Sequence, residues 1–201
     1  MRTLFASFSG VGEFEGWMIA KLNFRRLSKK GGEILKEKGK AVVLRQKARY
    51  AILESEDDTW QIQMHLIKPK EQKKETGSKG EDKKSLEKKW AFWEEIAKWR
   101  IAREEILDFV LSVNDWNPIH RTEPAIVPGL LFVEKLWKEP KIADQIKEWN
   151  AFEWIFYCPA YEEEVISLLI EEKTGSIGAY AKREKKSILL WECRKKETIQ
   201  E

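Results

Sequence analysis

Asp115, Asn117 and His120 gather around Pro118 in one short stretch of this chain. A carboxylate and an imidazole are side chains well suited to taking up and returning protons near neutral pH. Held on opposite sides of a turn stiffened by proline, the two could converge on one water molecule. Further along, Pro128-Gly129 precedes an apolar run of Leu130, Leu131, Val133, Leu136 and Trp137, the pattern of a helix start. The first N–H groups of a helix are unsatisfied and lie at the positive end of its dipole, so they suit a carbonyl oxygen that is gathering negative charge. Gly129, having no Cβ, would let that oxygen come close. Together these parts would suit proton transfer beside a stabilised oxyanion.

The elements that must position these residues can be read from periodicity. Ile106, Phe109, Val110 and Val113 recur at helical spacing, which predicts a short helix over residues 103–112 with one apolar stripe. Asn114-Asp115-Trp116-Asn117-Pro118 should end it, since Asn and Asp favour turns and Pro118 biases Asn117 away from helix. The helix opening at Gly129 is hydrophobic nearly all round, so it should be buried, and Pro140 should close it. Residues 152–158, 164–171, 176–183 and 187–194 read as four short strands. Helix first and antiparallel strands after it is an α+β layout.

Upstream, residues 16–24, 40–54 and 59–67 read as strands, with a short helix over 27–38 weakened by Gly31-Gly32. His65 falls on the polar side of an alternating run, so surface exposure is expected for it. Residues 68–89 are dense in charge with Leu86 the one large apolar side chain, which argues for a flexible linker. The chain thus divides into a β-rich N-terminal module at 1–67, a charged linker at 68–89 and a domain at 90–201.

The run Ser112-Val113-Asn114-Asp115-Trp116-Asn117-Pro118-Ile119-His120 resembles the signature of MaoC-like and (R)-specific enoyl-CoA hydratases, with Asp, Asn, Pro and His at the spacing of that family. The following Pro128-Gly129-Leu130-Leu131-Phe132-Val133-Glu134 is similar to the central-helix motif of β-hydroxyacyl carrier-protein dehydratases. Both families are hotdog folds, in which an antiparallel sheet wraps a long central helix. The resemblance implies a hydratase or dehydratase interconverting trans-2-enoyl and 3-hydroxyacyl thioesters, carried on coenzyme A or an acyl carrier protein, with no metal or redox cofactor. It gives Asp115 and His120 as the acid/base pair, or Glu134 in place of Asp115 if the second motif is the closer one. Asn117, Gly129 and Trp116 would contact substrate. A homodimer or higher homo-oligomer is implied, and the N-terminal module could be a degenerate second hotdog half. Asn114 stands where the family has Gly, and Asn is the next most tolerant of positive φ. A hotdog protein that only binds acyl thioesters or scaffolds a partner is an alternative, and an acyl thioesterase is another.

Composition bounds these readings. Basic and acidic residues number 37 and 34 and are interspersed, which gives no one-signed field for nucleic acid. Cys158 and Cys193 have no CxxC spacing and there are two histidines, so neither a disulfide framework nor a zinc site is expected, and a reducing cytoplasm is the natural setting. Both cysteines fall in expected strands and should be small apolar fillers. The apolar run within residues 1–14 is too short for a secretory signal, and no window approaches the roughly 18 apolar residues of a membrane span. Trp137, Trp154 and Phe156 are expected to pack the core or to line an acyl tunnel.

Overall fold

The structure is a computed structural model and describes residues 1–9, 11, 13–27, 40–69, 93–184 and 186–196. The helix expected over 27–38, apart from Leu27, and the expected linker, apart from Lys68 and Pro69, lie outside the described residues. Among those described, nine strands form one antiparallel sheet: β1 Met18–Arg26, β2 Val42–Lys47, β3 Tyr50–Glu56, β4 Trp60–Ile67, β5 Glu94–Arg100, β6 Ala151–Phe156, β7 Val165–Ile170, β8 Ile177–Arg183 and β9 Lys186–Lys195. Strict alternation builds β4, where Trp60, Ile62, Met64 and Leu66 are buried and the residues between them are not. Two expectations need correction. The run 40–54 is a hairpin turning at Ala48-Arg49, and Glu94–Arg100 is an edge strand that was not anticipated.

The strand order is β2-β3-β4-β1-β6-β9-β8-β7-β5. Outward from the β1–β6 joint, the N-terminal half runs β1-β4-β3-β2. The C-terminal half runs β6-β9-β8-β7, in the same order of return, and then adds β5. The joint is a ladder from Lys21 opposite Ile155 to Arg25 opposite Ala151, so the two halves share one continuous sheet.

Four helices accompany the sheet: α1 Arg2–Ala6, α2 Arg103–Ser112, α3 Gly129–Lys138 and α4 Ala143–Lys147. Five apolar residues of α3 and Glu134 are buried, as expected of a helix apolar nearly all round. Its aromatic side chains reach across the sheet. Phe132 lies 6.5 Å from Trp99 of β5 and 5.8 Å from Trp191 of β9, while Trp137 packs 5.5, 5.9 and 5.4 Å from Phe24, Trp60 and Phe152 of β1, β4 and β6. These contacts make α3 the helix that the sheet wraps, and the architecture is the hotdog fold. Among the described residues no helix is long and apolar enough to cross a membrane.

Candidate active site

The α2 helix ends as its sequence requires. Asn114 adopts φ +55°, the left-handed conformation that Gly and Asn tolerate best, and turns the chain so that the Asp115 N–H donates to Val110 O at 2.8 Å. The Asp115 carboxylate then accepts from the backbone N–H of Asn117 at 2.9 Å through Oδ1, an Asx turn that leaves Oδ2 pointing onward. Pro118–His120 forms one 3₁₀ turn, capped by the Asn117 side chain.

His120 is buried, and its Nδ1 lies 2.6 Å from the carbonyl oxygen of Ile126. A carbonyl only accepts, so Nδ1 carries the proton and the neutral ring presents the lone pair of Nε2. That Nε2 faces Asp115 Oδ2 at 3.6 Å. Burial pushes His120 below the ordinary imidazole value; the Asp115 carboxylate and the Ile126 carbonyl oppose that, and Arg121 reinforces it. Two acceptors facing each other at this separation suit a water that donates to both.

The Asp115–His120 pair opens on a cavity of about 440 Å³, within the usual range for small-molecule sites. Pro128 and Gly129, at the amino end of α3, line the same cavity. Pro128 is the N-cap of α3 and Gly129 its first residue, so the donor that proline lacks lies outside the helix and the N–H groups of Gly129 and Leu130 remain at its end. The N-terminal half lines the cavity too: Phe5 of α1 and Phe8 just after it, Trp17 and Ile19 before and in β1, and Leu53 and Met64 of β3 and β4. This apolar wall was not anticipated from the sequence.

Each remaining candidate has a definite place. Asn117 is occupied with protein: its Oδ1 accepts from the N–H groups of Gly16 (3.1 Å) and Ile119 (3.4 Å), and its Nδ2 donates to Trp17 O at 2.9 Å. Its side chain ties the segment before β1 to the Asp115 turn, and Asn117 also lines the cavity. Trp116 stands at the cavity rim with 63% of its surface exposed, its Nε1 donating to Asn114 Oδ1 and the Arg121 guanidinium stacked 4.4 Å from the ring. Glu134 lies apart from His120, on the side of α3 that lines a second depression with Arg2, Trp99 and Glu105. Both carboxylate oxygens of Glu134 accept from Arg2, at 2.7 and 2.9 Å, and Lys138 joins them. Burial opposes its ionisation, but Arg2 and Lys138 outweigh that and hold Glu134 below the usual carboxylate range. It is already neutralised as an ion pair and does not share the pocket of His120.

Of the aromatic candidates, Phe156 lines the cavity, whereas Trp154 and Trp137 pack the interior. Cys158 lines the cavity as well, and Cys193 is fully buried, its thiol pushed up by that burial. His65 is not simply solvated. It sits half-buried on the outer face of the sheet, its Nε2 accepting from Asn23 at 3.1 Å and its Nδ1 2.6 Å from the Tyr50 hydroxyl, and burial followed by Lys21 and Lys196 lowers its pKa.

No protein-family model matches the chain, and no curated protein matches it. Among solved structures the chain is similar to HtdX from Mycobacterium tuberculosis, at 13% identity and a TM-score of 0.54, over 97% of this chain and 84% of that one. A second crystal structure of HtdX gives 13% identity and 0.53, over 96% and 79%. The chain is also similar to the full-length peroxisomal multifunctional enzyme type 2 from Drosophila melanogaster, at 12% identity and 0.50, over 89% of this chain and 37% of that one. At such identities the likeness is one of fold. It extends over the N-terminal half as well as the C-terminal one.

Proposed function

We propose that this protein is a hydratase/dehydratase that interconverts trans-2-enoyl and 3-hydroxyacyl thioesters. The observation that carries the reading is the pairing of Asp115 Oδ2 with the unprotonated Nε2 of His120, 3.6 Å apart in a cavity that also exposes the amino end of α3 at Gly129. In the hydration direction the water held between the two side chains loses a proton to one of them as its oxygen bonds to the β-carbon. The π electrons of the double bond move toward the thioester, whose oxygen takes up negative charge against the N–H groups of Gly129 and Leu130. A proton from the pair then reaches the α-carbon, and both side chains return to their starting state.

The apolar wall from the N-terminal half suits a fatty-acyl tail, with coenzyme A or an acyl carrier protein as carrier and no metal or redox cofactor taking part. Since β1-β4-β3-β2 repeats the order β6-β9-β8-β7, we read residues 1–67 as a degenerate hotdog half beside a complete one at 90–201. Both walls of the site then come from one chain, and catalysis does not need the second copy that the sequence resemblance implies. Two cysteines without a disulfide, Cys158 and Cys193, fit a reducing cytoplasm.

The test is to mix purified protein with crotonyl-CoA and follow the absorbance of the conjugated thioester. Its decay without release of free thiol is the expected result. Thiol release would instead make the protein a thioesterase, and thermal stabilisation without turnover would make it an acyl-thioester binding protein.

A further inference from the structure

Gly129 marks a point where two side chains close over the amino end of α3. A Cβ at this position would lie 3.1 Å from Cζ of Phe156 and 3.2 Å from Cδ1 of Ile19, both tighter than ordinary van der Waals contact. Ile19 belongs to β1 and Phe156 to β6, the two strands that pair across the joint between the halves. Phe156 lies nearly parallel to the Trp154 ring, 6.0 Å away at 6°, which fixes the plane of its own ring. Trp154 is fully buried, whereas Phe156 and Ile19 are only partly buried and line the cavity.

The cavity that Asp115, His120 and Pro128 line is also lined by Ile19 and Phe156, and by Leu53, Met64 and Leu66 on β3 and β4 of the N-terminal half. We infer that Ile19 and Phe156 form a gate between the Asp115–His120 site and an apolar lobe in the N-terminal half, so that these two residues set the length of acyl chain the protein accepts. The assignment rests on the acyl-thioester reading and deepens it by naming what selects among substrates. An aromatic ring standing against the first residue of the helix shortens the space beyond the reacting carbons. Trimming it to a methyl group would admit further methylenes, each contributing about fourfold in affinity when buried.

The test uses the full chain and saturated acyl-CoA thioesters with short, medium and long acyl groups (butyryl, octanoyl and dodecanoyl), which bind without reacting. Affinities are measured by calorimetry for the parent, Phe156→Ala, Phe156→Leu and Ile19→Ala. The expected result is that Phe156→Ala raises the ratio of dodecanoyl to butyryl affinity by about tenfold or more, the gain of roughly two buried methylenes, with Ile19→Ala moving it in the same direction. If Phe156→Ala fails to fold, Phe156→Leu and Ile19→Ala carry the comparison. A ratio within about twofold of the parent in every folded variant overturns the gate, and so does a parent protein that binds no chain length at all. A shifted ratio alongside absent hydration of the matching enoyl thioesters keeps the gate and sinks the hydratase reading instead.

Discussion

Replacing Glu134 with Gln separates two roles for a carboxylate that the sequence alone places beside the proposed catalytic residues. In the structure Glu134 is 8% exposed and receives two hydrogen bonds from Arg2, whose own side chain is 47% exposed, with Lys138 as a further partner. Charge-assisted hydrogen bonds contribute about 1.5–3 kcal/mol each when buried, and exposed ion pairs about 0.2–1 kcal/mol. This pair is half in water, and Gln keeps one acceptor oxygen. Its loss should therefore cost about 1–2 kcal/mol, a fall in Tm of roughly 2–8 °C for a chain of this size. The pH dependence has a definite sign. The carboxyl of Glu134 is held below its ordinary value of 4.5, so the unfolded chain takes up this proton at higher pH than the folded one. The stabilisation is present above that value and is lost as pH falls through the folded pKa, so the gap between parent and Glu134→Gln should close on acidification. Urea melts from neutral pH down to about 3.5 measure it, and hydration of crotonyl-CoA by the variant should stay close to the parent rate. Unchanged stability together with abolished turnover would refute the structural role and return Glu134 to the chemistry.

His120 is expected to make the fold acid-sensitive: its pKa is lowered from 6.5, so stability is full above that value and declines as pH drops through the folded pKa, and His120→Gln should flatten this part of a thermal-melt pH series. Asn114 at φ +55° should tolerate Gly with little change in denaturation midpoint, whereas Asn114→Val should cost about 1–2 kcal/mol. Asn117→Ala removes the bonds to Gly16 and Trp17 and should cost about 1–2 kcal/mol. In limited proteolysis that variant should be cut by chymotrypsin near Phe14 and Trp17 faster than the parent, and equal cutting rates would contradict the tether.

The parts of this structure that sequence could reveal are those written in local chemistry. The Asp115 turn was legible because Asn and Asp favour turns and Pro118 restricts Asn117, and the positive φ at Asn114 fits the Gly that the resembled family has there. The start of α3 was legible from Pro128-Gly129 and the apolar run behind it. What stayed hidden depends on distant partners. Arg2 and Glu134 are 132 residues apart, so of the two cations that match this carboxylate only Lys138, one helical turn on, is local to it. Glu94–Arg100 is an edge strand whose apolar content is Ile96, Ala97 and Trp99 among charges, and it owes its strand state to the ladder with β7. The turn at Ala48-Arg49 contains none of the usual turn formers, so register with β4 rather than turn chemistry divides β2 from β3. The cavity wall offered by Phe5, Trp17 and Met64 could not be seen from a motif confined to the other half of the chain.

The claim that Asp115 and His120 work as one acid/base unit is tested most directly by kcat/KM for enoyl-thioester hydration in the parent, Asp115→Asn, His120→Ala and the double variant. Each single substitution should lower the rate constant by about 10²–10⁴-fold, and the double variant should fall little further, because the two share one water and one proton path. Turnover that survives either single substitution within a few-fold, in a protein shown to be folded, would contradict the account.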